Sequence, residues 1–378
     1  MITIEKTKYP MSDDQVRRRL FWLLQRLSSY TLWQRKRDAW AYFVQKYQEA
    51  LKTWPEDKSA GFHPKNIIWA YDALRLYDEG LPELATGNRQ VWQINTGVFD
   101  QLDRPIDLIN SFFYLPCHER GGQEESYPPE IEILNKLKNA AEFRGDNLLY
   151  PPHDNSCNIL DAAYLLDPVK YNHHFKMLPY PVFPKKLPPV PEHSDIIIKT
   201  DDPVPCDGIW EPVKIQYSHK LLVIKDGISG FKNLGAYNYF IRGMNAPRQV
   251  YYDVLIESDK EMVISDNPIR HRDVHWRLIW EDTRYCDGII PDESEYFLDD
   301  APSKHITCAS GERCPHSGRW ATITGGHQQF TDIQAGQLMP EATKYQSDMY
   351  AAEIHLPAIW SLLNREDGGS VYIKPGDD

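Results

Sequence analysis

The sequence lacks any stretch that could cross a bilayer as a helix. No window approaches the roughly 18 consecutive apolar residues that such a helix needs. The first fifteen residues, MITIEKTKYPMSDDQ, show no basic start followed by an apolar run, which a secretory signal would have. We therefore expect a cytoplasmic protein that has no membrane partner.

Cysteine and positive charge are both scarce. The chain has six cysteines in 378 residues and no C-x-x-C pair, so reduced thiols are expected rather than a disulfide framework. Its 42 Lys and Arg face 54 Asp and Glu, for a formal net charge of -12. Because nucleic acid is bound through patches of Lys and Arg, this balance argues against a nucleic-acid partner and is compatible with a basic protein partner.

The signatures of common enzymes are also missing. There is no G-x-S-x-G nucleophile elbow, no cysteine in a recognisable catalytic context and no glycine-rich loop that could cradle phosphate. The sequence therefore predicts no catalytic residue and no cofactor.

One segment keeps an enzyme open as an alternative. His305, Cys308, Cys314 and His316 lie within twelve residues and could supply two sulfurs and two nitrogens to zinc. The five-residue gap between the cysteines is longer than the usual zinc knuckle, so we predict buried thiols and no metal. A metal-dependent enzyme that uses segment 305–316, or the region of His271 and His275, is the alternative.

The first half of the chain has a helical pattern. Apolar residues recur every three to four positions over 16–27, and again over 32–51 after a break at Ser28 and Ser29, which predicts a helical hairpin or one bent helix. Ser12 and Gln15 have the spacing of a capping box, and Gly80 suits a helix C-terminus. Further helices are expected at about 65–79, 105–115, 129–144 and 157–166.

A proline-rich segment separates this half from one with short alternating apolar runs. LPYPVFPKKLPPVP, between Leu178 and Pro191, can form neither a helix nor a central strand. We predict an α+β fold with a helical domain at 1–178 and a linker at 179–193. A β-rich domain follows at 194–378, with two related small modules at about 194–300 and 301–378.

A weak internal sequence repeat suggests the two modules. PCDGIW, ending at Trp210, resembles CPHSGRW, ending at Trp320, because in each a Cys/Pro turn and a glycine precede a tryptophan. Glycine adopts backbone angles that other residues resist, and tryptophan fills a core. We therefore interpret both motifs as structural.

The segment from Trp276 to Asp300, WRLIWEDTRYCDGIIPDESEYFLDD, follows an aromatic strand with a cluster of carboxylates. One interpretation is a solvated acidic face, with a turn at Asp287-Gly288 and a short helix starting at Pro291. The other is a recognition surface for a basic partner. On the second interpretation the candidate partner-binding residues are Glu281, Asp282, Tyr285, Asp292, Glu293, Glu295, Tyr296, Asp299 and Asp300.

At PCDGIWEP, at WEDTRYCDGIIPDESEYF, and at GERCPHSGRW followed by AGQLMPE, the chain resembles the large immunity proteins of bacterial polymorphic-toxin and type VI secretion systems. This resemblance implies helices in front and strands behind. The residues that it implies to be fold-defining are Cys206, Gly208, Trp210, Trp280, Arg284, Asp287, Gly288, Pro291, Cys314, Pro315, Gly318, Trp320, Gly336 and Pro340.

The resemblance also implies a function. An immunity protein is an antitoxin that binds a cognate secreted toxin one-to-one in the cytoplasm of the producing cell, and so protects that cell and its kin. It inhibits by stoichiometric binding, without turnover or a cofactor. A second alternative to this expectation is a scaffold or chaperone for a secreted effector, whose front helices would bind an apolar client segment.

Overall fold

The computed structural model describes the greater part of the chain, in two compact units. The described residues are 9–52, 66–113, 134, 137–138, 141, 148–152, 155–168, 170–171, 180–192, 194–220, 224–256, 262–298, 306–324, 327–345, 353–369 and 371. Unit 1 comprises Met1–Leu115 and Glu125–Tyr296, and unit 2 comprises Pro116–Glu124 and Phe297–Asp378. The segment predicted as a linker, 179–193, lies within unit 1, and the predicted domain boundaries stay a prediction.

The front of unit 1 is helical. Its helices are α1 (Asp14–Leu27), α2 (Tyr30–Leu51), α3 (Ile67–Leu84), α4 (Asp103–Phe113) and the single turn α5 (Ala163–Leu166). Asp13 rather than Ser12 caps α1, since its carboxylate accepts a hydrogen bond from the Gln15 amide at 2.7 Å. The Ser29 hydroxyl caps α2, so the predicted break at Ser28 and Ser29 is present and separates two helices. No helix in this described part is long and apolar enough to span a membrane.

Two helix predictions differ from the structure. Helix α3 continues beyond Gly80, where the sequence suggested its end. A Cβ at Gly80 would come within 2.4 Å of the Phe99 ring, so the glycine provides close packing inside the helix rather than a stop. The helix expected at 157–166 is only the turn α5, and the one expected at 129–144 lies mostly outside the described residues.

Aromatic side chains fill the core between these helices. Trp33 stacks on Phe99 with ring centroids 4.3 Å apart, and the indole of Trp40 donates to the Ala70 carbonyl at 2.8 Å. Trp33 and Trp40 are almost completely buried, and each contributes a large apolar area to the stability of the bundle.

Unit 1 also contains seven described strands, and we call the part of unit 1 that they form the first module. They are β1 (Ile197–Lys199), β2 (Gly208–Lys220), β3 (Ile224–Asn233), β4 (Asn238–Phe240), β5 (Gln249–Ile256), β6 (Met262–Arg272) and β7 (His275–Glu281). One sheet has the order β1-β7-β2-β3, and β4 also pairs with β2; β5 and β6 form a separate antiparallel pair.

Unit 2 contains the second module. Its strands are β8 (Thr307–Ala309), β9 (Gly318–Thr324), β10 (His327–Ile333), β11 (Ala342–Tyr345), β12 (Glu353–Leu356) and β13 (Ile359–Arg365). One sheet has the order β10-β9-β13-β8, and β11 pairs with β12. Helices in front and a β-rich second half confirm the predicted α+β fold.

The two modules repeat one framework, down to individual hydrogen bonds. The indole of Trp276 in β7 donates to the Pro247 carbonyl at 2.7 Å, and that of Trp360 in β13 donates to the Pro340 carbonyl at 2.8 Å. Gly208 pairs with the last residue of β7, and Gly318 pairs with the last residue of β13. In both sheets a β-bulge falls between the residue after the glycine and the tryptophan that follows it.

This framework requires the glycine of each repeated motif. A Cβ at Gly208 would lie 2.1 Å from the Trp280 carbonyl oxygen, and one at Gly318 would lie 2.0 Å from the Asn364 carbonyl oxygen. Trp210 and Trp320, two residues further on, are fully buried. The glycine and the tryptophan of the two motifs therefore occupy equivalent positions.

The cysteines of the two repeated motifs do not occupy equivalent positions. Gly243 and Gly336 have nearly equal φ values of 86° and 85°, and their amides donate to the carbonyls of Val204 and Cys314, both at 2.8 Å. Cys314 thus corresponds to Val204, and Cys206 lies two positions further along the turn. The cysteine match in the sequence reflects an offset of two residues and not a shared role.

Candidate interaction site at the end of the first module

The acidic segment after β7 separates into buried and exposed side chains. Asp282, Tyr285, Glu293 and Tyr296 are 1–7% exposed. Their carboxylates and hydroxyls, suggested as partner contacts, instead face the interior of unit 1. Glu281, Asp292 and Glu295 are exposed, and Asp299 and Asp300 lie outside the described residues.

Asp282 is at the centre of a buried ionic network. Its Oδ2 lies 3.0 Å from Arg89 Nη2 and accepts hydrogen bonds at 2.8 Å from Arg284 Nη2 and from the Tyr239 hydroxyl. Burial alone would raise the pKa of Asp282, but the charge of Arg284 and the other donors outweigh it, and the pKa is lowered. The carboxylate therefore stays ionised and holds two guanidinium groups inside the protein.

Arg284 connects this network to the end of α1. Its Nη1 donates to the Gln25 carbonyl at 3.0 Å and its Nη2 to the Ser28 hydroxyl at 2.7 Å. A cation there complements the negative end of the helix dipole. Burial opposes the charged form, yet the Asp282 carboxylate outweighs it, so the pKa of Arg284 lies above its usual value. Its guanidinium also lies 5.0 Å from the centre of the Trp280 ring.

Glu293 and Tyr285 hold the start of α2 in the complementary way. The Thr31 amide donates to Glu293 Oε2 at 2.8 Å, and the Tyr30 amide donates to the Tyr285 hydroxyl at 2.8 Å. The Tyr285 hydroxyl in turn donates to Glu293 Oε1. Burial is the main reason that the pKa of Tyr285 is raised, so the phenol stays protonated and can donate. An anion at this N-terminus and a cation at the end of α1 fix the junction between the two helices to the first module.

Between these two anchors the chain forms a short exposed loop, residues 286–292, which we call the Ile289 loop. Ile289 is 65% exposed and Ile290 is 38% exposed. The Asp287 carboxylate accepts from the Ile289 amide at 3.0 Å, and Gly288 takes a φ of 75° that closes the turn. Adjacent apolar side chains are thus displayed beside the exposed carboxylates of Asp287 and Asp292, on a loop whose two ends are held by buried contacts.

The thiols of segment 305–316 have contacts that do not suit a metal site. Cys308 and Cys314 are buried, and the Cys314 thiol donates to the His316 carbonyl at 3.1 Å. Burial raises the pKa of both thiols, which favours the protonated form over the thiolate that zinc requires. His305 lies outside the described residues, and no group of three or more His, Cys, Asp or Glu within them is placed to hold a metal ion.

Arg89 and the two isoleucines were missed by sequence reasoning. Arg89 lies in a 3-10 turn almost 200 residues before Asp282, so nothing local in the sequence marks it as an ion-pair partner. The isoleucine pair did carry a signal, because two adjacent large apolar residues inside an acidic turn are unusual for a solvated face.

Comparison with known families gives two matches of similar length. Residues 11–113 match the family model of Immunity protein 71, and residues 189–298 match that of Immunity protein 72. No curated protein and no solved structure matches the chain. The first match covers α1–α4, and the second covers the first module together with the Ile289 loop. Both matches are to immunity-protein families, so the comparisons support an immunity-protein family for this chain, through one segment in its helical front and one in the first module.

Proposed function

We propose that the chain is an antitoxin that binds one cognate secreted bacterial toxin and inhibits it stoichiometrically. The observation that carries this proposal is the pair of immunity-family matches, which cover helices α1–α4 and the first module. The setting that fits is the cytoplasm of a bacterium with a polymorphic-toxin or type VI secretion system, where the antitoxin protects the producer and its kin. Binding needs neither turnover nor a cofactor.

The Ile289 loop is an exposed part of the predicted recognition segment that carries both apolar side chains and carboxylates. Ile289 and Ile290 supply apolar anchors, and Asp287, Asp292 and Glu295 supply exposed carboxylates around them. Interfaces draw most of their affinity from a few anchored side chains, while surrounding charge steers association. The loop therefore suits a basic cleft with an apolar floor, and we propose a cationic surface on the toxin.

Protection of the producing cell requires a high affinity for the toxin. An antitoxin must leave almost no free toxin in the cell, so a dissociation constant of about 1 nM or lower, near -12 kcal/mol, is expected. A loop that is held at both ends by buried contacts loses little conformational entropy on binding, which favours such an affinity.

Growth rescue tests the proposal. The toxin domain encoded beside this chain is expressed with the wild-type protein, with Ile289→Asp/Ile290→Asp, or with Ile359→Asp as a matched control. Ile359 is 67% exposed and lies in the second module. We expect rescue by the wild type and the control, and its loss in the loop variant at unchanged protein levels.

The outcomes separate the contact surface from the function. Rescue by the loop variant would remove the Ile289 loop as the contact and leave the antitoxin function standing. Failure of the wild type to rescue would remove the function itself. A scaffold or chaperone would copurify with the secreted protein without suppressing its toxicity.

A further inference from the structure

Strands β2 and β3 continue well beyond the sheet of the first module. Strand β2 pairs with β7 from Gly208 to Val213, and from Lys214 onward it pairs with β3 alone among the described strands. We call residues 214–220 and 224–232 the β2–β3 arm. A two-stranded ribbon with open edges is only marginally stable by itself and offers unpaired backbone groups to a partner.

The second module shows that the fold does not need this arm. Strand β9 has 7 residues and pairs with the single strand β10 from Gly318 onward. Strand β2 has 13 residues and pairs first with β4, from Gly208 to Trp210, and then with β3 from Val213 onward, so it continues along β3 beyond the length of β9. The equivalent glycine, tryptophan and bulge are all present in the short version. The arm is therefore an addition to a framework that closes without it.

The charge of the arm is opposite to that of the whole chain. Its sequence has four lysines, no arginine and one carboxylate, Asp226, in a chain with a net charge of -12. Lys214 and Lys232 are exposed and stand directly opposite each other in the β2–β3 register. Neither has an ion-pair partner in the part of the chain that the structure describes. Like charges in directly opposed positions destabilise a strand pair, so an anionic partner between them would relieve a repulsion already present.

An apolar pair lies further along the same ribbon. Tyr217 and Ile228 are cross-strand neighbours, and they are 37% and 54% exposed. Paired strands direct cross-strand neighbours to one face, so these two side chains form a single exposed apolar spot within a basic arm.

We propose that the β2–β3 arm is a docking element for an acidic surface on the toxin. The inference rests on the proposed function, since the partner is the toxin that the chain neutralises. A protein fits better than nucleic acid for three reasons: the arm lacks arginine, it displays an apolar pair, and the chain as a whole would repel a polyanion. The arm and the Ile289 loop leave opposite ends of the sheet, because β2 and β7 are antiparallel. Opposite charge at the two ends fixes the direction in which a partner docks.

Charge reversal and shortening test the arm. The first variant, Lys214→Glu/Lys232→Glu, keeps the like-charge opposition while it reverses the sign. The second replaces residues 217–229 by Asn-Gly, a two-residue turn that would join the paired positions Gln216 and Gly230. Lys185→Glu/Lys186→Glu, at two exposed lysines outside the arm, is the matched control for total charge. Lys214→Arg/Lys232→Arg is the control that retains the charge of the arm.

Toxin affinity of the purified full-length proteins is measured at several salt concentrations, together with the thermal midpoint of each protein. We expect both arm variants to bind at least about tenfold more weakly, with a smaller dependence on salt, while both controls bind like the wild type. Wild-type affinity in both arm variants would overturn the inference and leave the antitoxin function intact. A wild type without measurable toxin binding would overturn both. Binding of a nucleic-acid duplex that the wild type holds and the arm variants lose would assign the arm to nucleic acid and also overturn the inference.

Discussion

Asp282 is the residue on which the anchoring of the α1–α2 junction to the first module depends most. Its carboxylate neutralises Arg89 and Arg284, which are otherwise buried among aromatic rings. In Asp282→Asn the buried Arg89 would lose its ion pair, and Arg284 would keep only Glu293, whose Oε1 lies 3.9 Å from its Nη1. We predict that the free energy of unfolding falls by about 3–5 kcal/mol, as for other buried pairs that lose one partner.

Urea unfolding measures this change, and Glu281→Gln is the matched control. Glu281 is adjacent in sequence but exposed, so its substitution should change the free energy of unfolding by no more than about 0.5 kcal/mol. Equal stability of the Asp282 and Glu281 variants would show that the buried network contributes nothing.

The lowered pKa of Asp282 also makes the stability of the folded protein depend on pH. The pKa of Asp282 is lower in the folded protein than the value of about 3.9 expected for an unfolded chain. Its contribution is therefore complete above about pH 4 and is lost as the pH falls through the folded pKa. Urea midpoints from about pH 7 to about pH 3 should show the wild type and Asp282→Asn converging only below about pH 4. A constant difference across that range would contradict the assignment.

At this scale the sequence indicated the acidic segment but not the direction of its side chains. Asp282 and Glu293 resemble Asp292 and Glu295 in every local respect. What separates them is contact with Arg89, with Arg284 and with the start of α2. Those contacts join positions up to about 260 residues apart in the chain, so only the folded structure assigns them.

At the scale of elements, the repeated framework predicts matched responses in the two modules. Gly208→Ala and Gly318→Ala would each place a methyl group about 2 Å from a carbonyl oxygen of the neighbouring strand, at φ values of 154° and 156°. We predict that each costs at least about 2 kcal/mol. Gly230→Ala, which meets only the flexible Gln216 side chain at 3.3 Å, is the control.

Circular dichroism melting curves of the three variants test this equivalence. A loss at Gly208 without one at Gly318 would indicate that the modules are alike only in their strand order. The sequence predicted this pair of glycines, because glycine two residues before tryptophan is a local signal. It did not predict the shared bulge or the Trp276 and Trp360 hydrogen bonds, since those depend on strands that come later in the chain.

At the scale of the whole molecule, the family matches agree with the resemblance seen in the sequence. The two matches, to residues 11–113 and 189–298, meet in unit 1 through Arg284, Tyr285 and Glu293, which bind the end of α1 and the start of α2. Strands β8–β13 of unit 2, which the matches do not include, repeat the framework of the first module. The spacing of apolar residues before and after the proline-rich segment predicted the α+β class, but the attachment of the first module to α1 and α2 needed the structure.

The most direct test of the antitoxin proposal is a titration of the purified toxin with this protein, with the toxin's own activity as the readout. A stoichiometric inhibitor predicts that activity falls linearly to zero at one equivalent, that the endpoint does not change with incubation time, and that no modified toxin is formed. Loss of all activity at a small fraction of an equivalent, progressing with time, would show that the chain inactivates its target catalytically and would contradict the proposal.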